Sequence, residues 1–156
     1  MKQDELQGRP LTILVVEDDP AHAKLMVRCF EDHRIANRVF HVADGETALD
    51  YLFRRSAYAD PKKSPRPHVI LLDLRLPGTD GLEVLHEIKT SDELQKIPVV
   101  IVTSSDAKPD IDAAYRHLAN SYLVKPLDFE RFHKLMTELG FYWLGWNHYP
   151  WSEDNT

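Results

Sequence analysis

The chain has 156 residues, an apolar share of 43% and a formal net charge of −6. That length suits one domain with a single sizeable core, and the acidic balance supplies no general pull toward nucleic acid or anionic membrane. The lone cysteine, Cys29, excludes an internal disulfide framework and fits a reducing cytosol.

Residues 1–9 are polar, carry no apolar signal segment, and read as a disordered lead. No apolar run approaches the roughly 20 residues that span a bilayer, so a cytoplasmic protein is expected. Leu11 to Val16 is apolar and rich in β-branched residues, which predicts a buried strand. Asp19-Pro20 reads as a cap and first helical position, and Leu25, Met26, Cys29 and Phe30 give the helix that follows one apolar face. On that face Cys29 is a small core residue rather than a nucleophile. Arg38 to Val42 is a second strand. Asp44-Gly45 opens a second helix with Ala48, Leu49, Leu52 and Phe53 inward.

Residues 54–67 form a loop with three prolines and five basic residues, Arg54, Arg55, Lys62, Lys63 and Arg66. Without interleaved aromatics beyond Tyr58, it reads as a solvated insertion rather than a nucleic-acid arm. His68 to Leu72 is the third strand, and Leu82 to Lys89 a helix with Leu82, Leu85 and Ile88 inward. Ile97 to Val102 is the fourth strand, Pro109 to Leu118 a helix, and Tyr122 to Val124 a short fifth strand. Asp128 caps a last helix with Phe132, Leu135, Met136 and Leu139 inward. Near-continuous apolar strands alternating with amphipathic helices predict a doubly wound, five-stranded parallel sheet covered on both faces. The eight histidines are scattered without paired metal spacing and are expected at surface or half-buried positions.

The polar residues at the strand ends carry the chemistry. Strand one runs into Glu17-Asp18-Asp19, strand three into Asp73, strand four into Thr103-Ser104-Ser105, and strand five into Lys125-Pro126. In a parallel sheet these ends share one edge, where open α/β sheets place their ligands. Each residue alone reads as a cap, a turn or solvated surface; together they make a crevice. Crowded carboxylates repel and need a cation, and a few hard oxygen ligands suit Mg²⁺. Such an ion can orient a phosphoryl group toward an aspartate nucleophile, with Lys125 neutralising phosphoryl oxygens and Thr103 donating once the group is attached.

The segments ILVVEDDP, VILLDLRLPGTDG, VVIVTSS and YLVKP resemble the receiver domain of two-component response regulators, in order, over about residues 11–139. The resemblance implies a flavodoxin-like α/β/α fold with strand order 2-1-3-4-5. It implies that Asp73 accepts a phosphoryl group from a phosphohistidine on a partner histidine kinase. It implies that Asp18 binds Mg²⁺ directly, Glu17 mostly through water, and that Asp73 and the Arg75 carbonyl complete the protein ligands. Thr103 and Tyr122 take the switch positions, Lys125 the lysine position, and the Lys125–Pro126 bond is expected to be cis. Such a protein signals rather than acting as an enzyme on separate substrates; it catalyses only its own phosphorylation and dephosphorylation. Arg75 and Ser105 fall at variable family positions that influence acyl-phosphate lifetime. Arg75 could steer the phosphate or pair with Glu17, and both readings stand.

Rival readings fit less well. An aspartate-based phosphatase of the haloacid-dehalogenase class wants a second Asp where Arg75 stands. An FMN carrier wants a hydroxyl-rich phosphate loop where Glu17-Asp18-Asp19 would repel phosphate. An unphosphorylated pseudo-receiver is the remaining alternative, and the complete residue set argues against it.

The receiver region is assigned to residues 10–140 and an aromatic extension to residues 141–156. With no effector domain evident, output is expected through contacts of the receiver itself. For Phe141 and Trp143, folding back on the last helix and exposure stand as equal readings. The later rings, through Trp151, are expected at a protein interface. The ending and the long loop resemble regulators partnered with phytochrome-type histidine kinases. That likeness implies a homodimer through the fourth helix, fifth strand, fifth helix and tail.

Overall fold

The structure is a computed structural model and describes residues 10–150. The predicted disordered lead at 1–9 and the end of the tail, Trp151 included, lie outside the described residues. The strands are β1 (Leu11–Val16), β2 (Asn37–Val42), β3 (Val69–Leu72), β4 (Val99–Thr103) and β5 (Ser121–Val124). The helices are α1 (Pro20–Glu31), α2 (Gly45–Leu52), α3 (Gly81–Lys89), α4 (Lys108–Arg116) and α5 (Phe129–Gly140). A single π-helical turn, Phe141–Trp146, continues α5.

All five strands are parallel and lie in the order β2-β1-β3-β4-β5. β1, β3 and β4 are buried along their whole length, as unbroken apolar runs require when helices cover both faces. Alternation along the strands splits the core into two layers. Leu14, Val16, Ile70 and Leu72 face α2, α3 and α4 through Leu52, Leu85 and Ala114. Ile13, Val15, Val69 and Leu71 face α1 and α5 through Met26, Phe30, Phe132 and Met136. Cys29 is buried in that second layer.

The helix starts follow their sequence signals. Asp19 Oδ1 accepts from Ala21 N and His22 N at 2.9 and 3.2 Å ahead of Pro20. Asp44 Oδ1 accepts from Thr47 N at 2.7 Å. Asp128 Oδ1 accepts from Glu130 N at 2.9 Å. Each satisfies first-turn donors that have no intrahelical partner.

Four expectations are corrected. Phe53 lies past the end of α2 and is exposed; Tyr51 takes the inward place, its hydroxyl donating to Pro65 O at 2.7 Å. The loop 54–67 is not simply solvated. Ser64 is buried and its hydroxyl donates to Tyr58 O at 2.8 Å, while Arg66 donates to Leu52 O at 2.8 Å and pairs with Glu93. Backbone carbonyls left free at the end of α2 and in the loop recruit these side chains. His68 is buried rather than superficial, because its Nδ1 accepts from Thr12 N at 3.0 Å. The Lys125–Pro126 bond is trans, as no described peptide is cis; Lys125 reaches its partners without the isomer. Among the described residues, no helix is long and apolar enough to cross a membrane.

Candidate functional site

The sheet ladder itself delivers the site residues to one edge. Past the last residues of β1 and β3, Glu17 N donates to Val42 O and Asp73 N to Val16 O, both at 3.1 Å. Lys125 N donates to Thr103 O at 2.8 Å. Backbone pairing thus holds Glu17, Asp73 and Lys125 one step beyond the ends of β1, β3 and β5, in register with their neighbours.

Glu17 and Asp73 are buried and Asp18 is exposed. One carboxylate oxygen from each lies within 4.8 Å of the others. Lys125, itself buried, places Nζ 2.5 Å from Glu17 Oε1 and 3.0 Å from Asp73 Oδ2. Burial pushes the Glu17 carboxyl above the usual carboxylate range; contact with Lys125 pulls it down, and the Asp73 charge pushes it up again. Burial works against the Lys125 ammonium, but the two carboxylates outweigh it and hold it above the usual lysine value. One ammonium thus bridges two buried acids, and the third acid faces solvent. Three hard oxygen donors this close fit a divalent cation.

Thr103 Oγ1 is buried and has no hydrogen-bond partner among the described residues. Buried hydroxyls are nearly always paired; this one stands at the end of β4, beside the acidic crevice, with a donor to spare. Arg75 N donates to Asp73 Oδ1 at 3.1 Å and turns the chain away from β3. The Arg75 side chain pairs with Asp110 Oδ2 at 2.7 Å and not with Glu17. The Ser105 hydroxyl donates to the same Asp110 oxygen at 2.5 Å. Tyr122 OH donates to Ser105 O at 2.8 Å. Arg75, Ser105 and Tyr122 are therefore joined in one hydrogen-bonded network centred on Asp110 of α4.

Sequence reasoning missed Asp110 and His22. His22 Nδ1 lies 3.0 Å from Lys125 Nζ. No local signal marks either residue, because Arg75 and Lys125, which tie them to the crevice, are 35 and 103 positions away.

An open, doubly wound sheet with a lysine-bridged acidic crevice at the carboxyl ends of its strands defines the class: an α/β protein whose polar side chains gather at the sheet edge where such folds place their ligands. A family model, the response regulator receiver domain, matches residues 13–137, and the chain belongs to that family. It is 47% identical over 141 residues to the "Probable methanogenesis regulatory protein FilR2" of Methanothrix harundinacea, covering 90% of this chain and 88% of that one. It is 37% identical over 135 residues to response regulator Rcp1 of Synechocystis, covering 86% and 90%. The crystal structure of Mn²⁺-bound Rcp1 superposes with a TM-score of 0.86, covering 91% of this chain and 100% of that one at 36% identity. The phosphorylated cyanobacterial phytochrome response regulator RcpA superposes at 0.87, covering 91% and 99% at 33% identity.

Proposed function

We propose that this receiver accepts a phosphoryl group on Asp73 from a phosphohistidine of a partner histidine kinase. The observation that carries the reading is the Lys125 ammonium held 3.0 Å from Asp73 Oδ2 among three acids. In the transfer, an Asp73 carboxylate oxygen forms a bond to phosphorus as the donor's phosphorus–nitrogen bond breaks. The electron pair of the broken bond leaves on the imidazole nitrogen. A carboxylate nucleophile carries no proton to be removed, so the attack needs no general base. Lys125 turns an N–H toward the phosphoryl oxygens, and the Thr103 hydroxyl, free in this state, donates to the new group. That last contact exists only after transfer, so it biases the β4–α4 loop and, through Ser105, Tyr122. Glu17, Asp18, Asp73 and the Arg75 carbonyl are the residues that would hold Mg²⁺. When bound, Mg²⁺ supplies charge neutralisation for the phosphoryl oxygens; the Mn²⁺ in Rcp1 supports the assignment.

The test is intact-mass measurement after incubation with Mg²⁺ and acetyl phosphate. A single phosphoryl adduct is expected, and none with Asp73→Asn. Absence of an adduct under saturating donor would instead favour a partner-binding module that is never phosphorylated.

The likeness to RcpA supports a phytochrome-type kinase as the donor. The relative of higher identity, FilR2, is described as a methanogenesis regulatory protein and not as a phytochrome partner, which favours a second reading, a donor kinase serving a process other than light sensing. Phosphotransfer from purified kinases of each class separates them. Either reading puts the protein in the cytoplasm, with protein rather than nucleic acid or membrane as its partner.

The exposed Tyr115, Leu118, Val124 and Leu127 line α4, β5 and the start of α5, and Phe141, Tyr142 and Trp146 are exposed on the tail. These support a symmetric dimer through that face. Leu118→Glu is expected to convert the dimer to monomer in sedimentation equilibrium, with the circular dichroism spectrum of the folded chain retained. A monomer in the unaltered protein, or a Leu118→Glu dimer, would remove this face as the interface.

A further inference from the structure

Lys125 has a third partner that carboxylate chemistry does not require. Its Nζ lies 3.0 Å from His22 Nδ1, besides its contacts to Glu17 and Asp73. An ammonium has three N–H donors and no acceptor. His22 Nδ1 must therefore accept, which puts the ring proton on Nε2 and makes the imidazole neutral. The same Nδ1 is 3.7 Å from Asp19 Oδ2, beyond hydrogen-bond reach, so the lysine holds the nitrogen. The ring is fixed from two sides. Its own backbone N–H is tied to the Asp19 cap at 3.2 Å in the first turn of α1. Phe132 and Phe129 of α5 pack edge-on against it, with ring centroids 5.4 and 6.0 Å away.

We propose that His22 is a positioning residue for phosphoryl transfer, a neutral acceptor that holds Lys125 while the ammonium changes partners. The proposal rests on the reading of Asp73 as the acceptor. Three acids already crowd the crevice. A fourth anion would grip Lys125 harder, but it would deepen the negative field that an incoming phosphoryl group must enter. A neutral imidazole gives a directed bond without added charge. Once an Asp73 oxygen carries phosphorus, Lys125 must turn one N–H from the carboxylate to a phosphoryl oxygen. A lysine side chain has a long flexible stem and much rotamer freedom to lose. With Glu17 kept as an ion-pair partner and His22 holding one of its donors, only the N–H on Asp73 has to move, and the ammonium stays aligned.

The test compares substitutions that separate an acceptor at Nδ1 from mere bulk. His22→Asn places an amide oxygen where Nδ1 stands; His22→Leu keeps volume without an acceptor; His22→Gln puts its oxygen farther out. Phosphorylation by acetyl phosphate with Mg²⁺ is followed by intact mass over time and over donor concentration. His22→Leu and His22→Gln are expected to lower the maximal rate on the order of tenfold, as for one lost bond to a charged group. The donor concentration for half-maximal rate is expected to change less, and His22→Asn to stay within about threefold of the unaltered protein. Urea midpoints confirm folding, and if His22→Leu does not fold, the His22→Asn and His22→Gln pair decides. In the resting protein, nitrogen-15 spectra should show His22 with Nδ1 bare, and Lys125→Met should shift that resonance. Wild-type rates in His22→Gln and His22→Leu, or an equally slow His22→Asn, would overturn the proposal while leaving Asp73 as acceptor. No adduct in the unaltered protein would instead remove the acceptor reading, and this proposal with it.

Discussion

Thr103 ends β4 with a buried hydroxyl that nothing described satisfies. Burying an unpaired hydroxyl costs about 1–3 kcal/mol, a cost without purpose unless a partner arrives in another state. Thr103→Val keeps the shape and removes that hydroxyl. The variant is expected to have a urea midpoint equal to or above the unaltered protein, with the adduct on Asp73 still formed. Its response to phosphorylation, read from a fluorine-labelled Tyr122, is expected to vanish. A destabilised variant would mean that the hydroxyl is satisfied at rest. At this scale the residues Glu17, Asp18, Asp73, Thr103 and Lys125 were legible because all stand within two residues of the end of an apolar run, and a parallel sheet gathers such ends. His22 and Asp110 were not, because side-chain meetings across 103 and 35 positions leave no periodic trace.

The elements meet Asp73 through close backbone packing, which makes α3 more than a cover. A Cβ on Gly81, the first residue of α3, would sit 2.3 Å from Asp73 O and 2.6 Å from Leu74 Cα. A Cβ on Gly45, at the start of α2, would sit 2.3 Å from Thr79 O, away from the acceptor. Both contacts are with backbone, so the chain must shift, and overpacking of this kind costs about 1–3 kcal/mol. Gly81→Ala and Gly45→Ala are both expected to lower the urea midpoint by comparable amounts. Only Gly81→Ala is expected to slow adduct formation when both proteins are fully folded, because only it displaces the Asp73 backbone. Equal rates would show that the acceptor tolerates movement of its loop. The strands and helices themselves were legible to within a few residues from apolar period and caps. The π-helical turn was not: Trp143 and Leu144 are buried in the layer under α5, while Phe141, Tyr142 and Trp146 are exposed. An aromatic run carries no period that says which rings turn inward. The ordering of loop 54–67 was equally hidden, since composition reads basic residues as solvated and does not see that Arg66 caps a free carbonyl of α2.

Across the whole molecule, the edge of the sheet opposite Asp73 is closed by the tail, and His68 is the fastener. His68 precedes β3 and accepts from Thr12 N of β1 through Nδ1 at 3.0 Å. Its ring stands edge-on to Tyr149, centroids 5.2 Å apart, and Tyr149 OH donates to Trp143 O at 2.6 Å. Removing the tail would uncover this layer, so point substitutions are the sounder probes of the dimer. Burial, with the charge of Arg38 adding to it, lowers the His68 pKa from 6.5 to about 4. Protonating Nδ1 would also abolish the Thr12 bond. Between those values the unfolded chain binds a proton that the folded chain refuses, so stability rises with pH across the window. The contribution is fully present above pH 6.5 and is lost as the pH falls toward about 4. Its size is about 3 kcal/mol by linkage. His68→Asn keeps an acceptor for Thr12 N but does not titrate. Urea unfolding at pH 7 and pH 4.5 is expected to show a smaller acid loss in His68→Asn than in the unaltered protein, with the difference confined to that window. Parallel pH profiles would mean that His68 carries its proton in the folded state, and that the closure of this edge does not depend on a neutral ring.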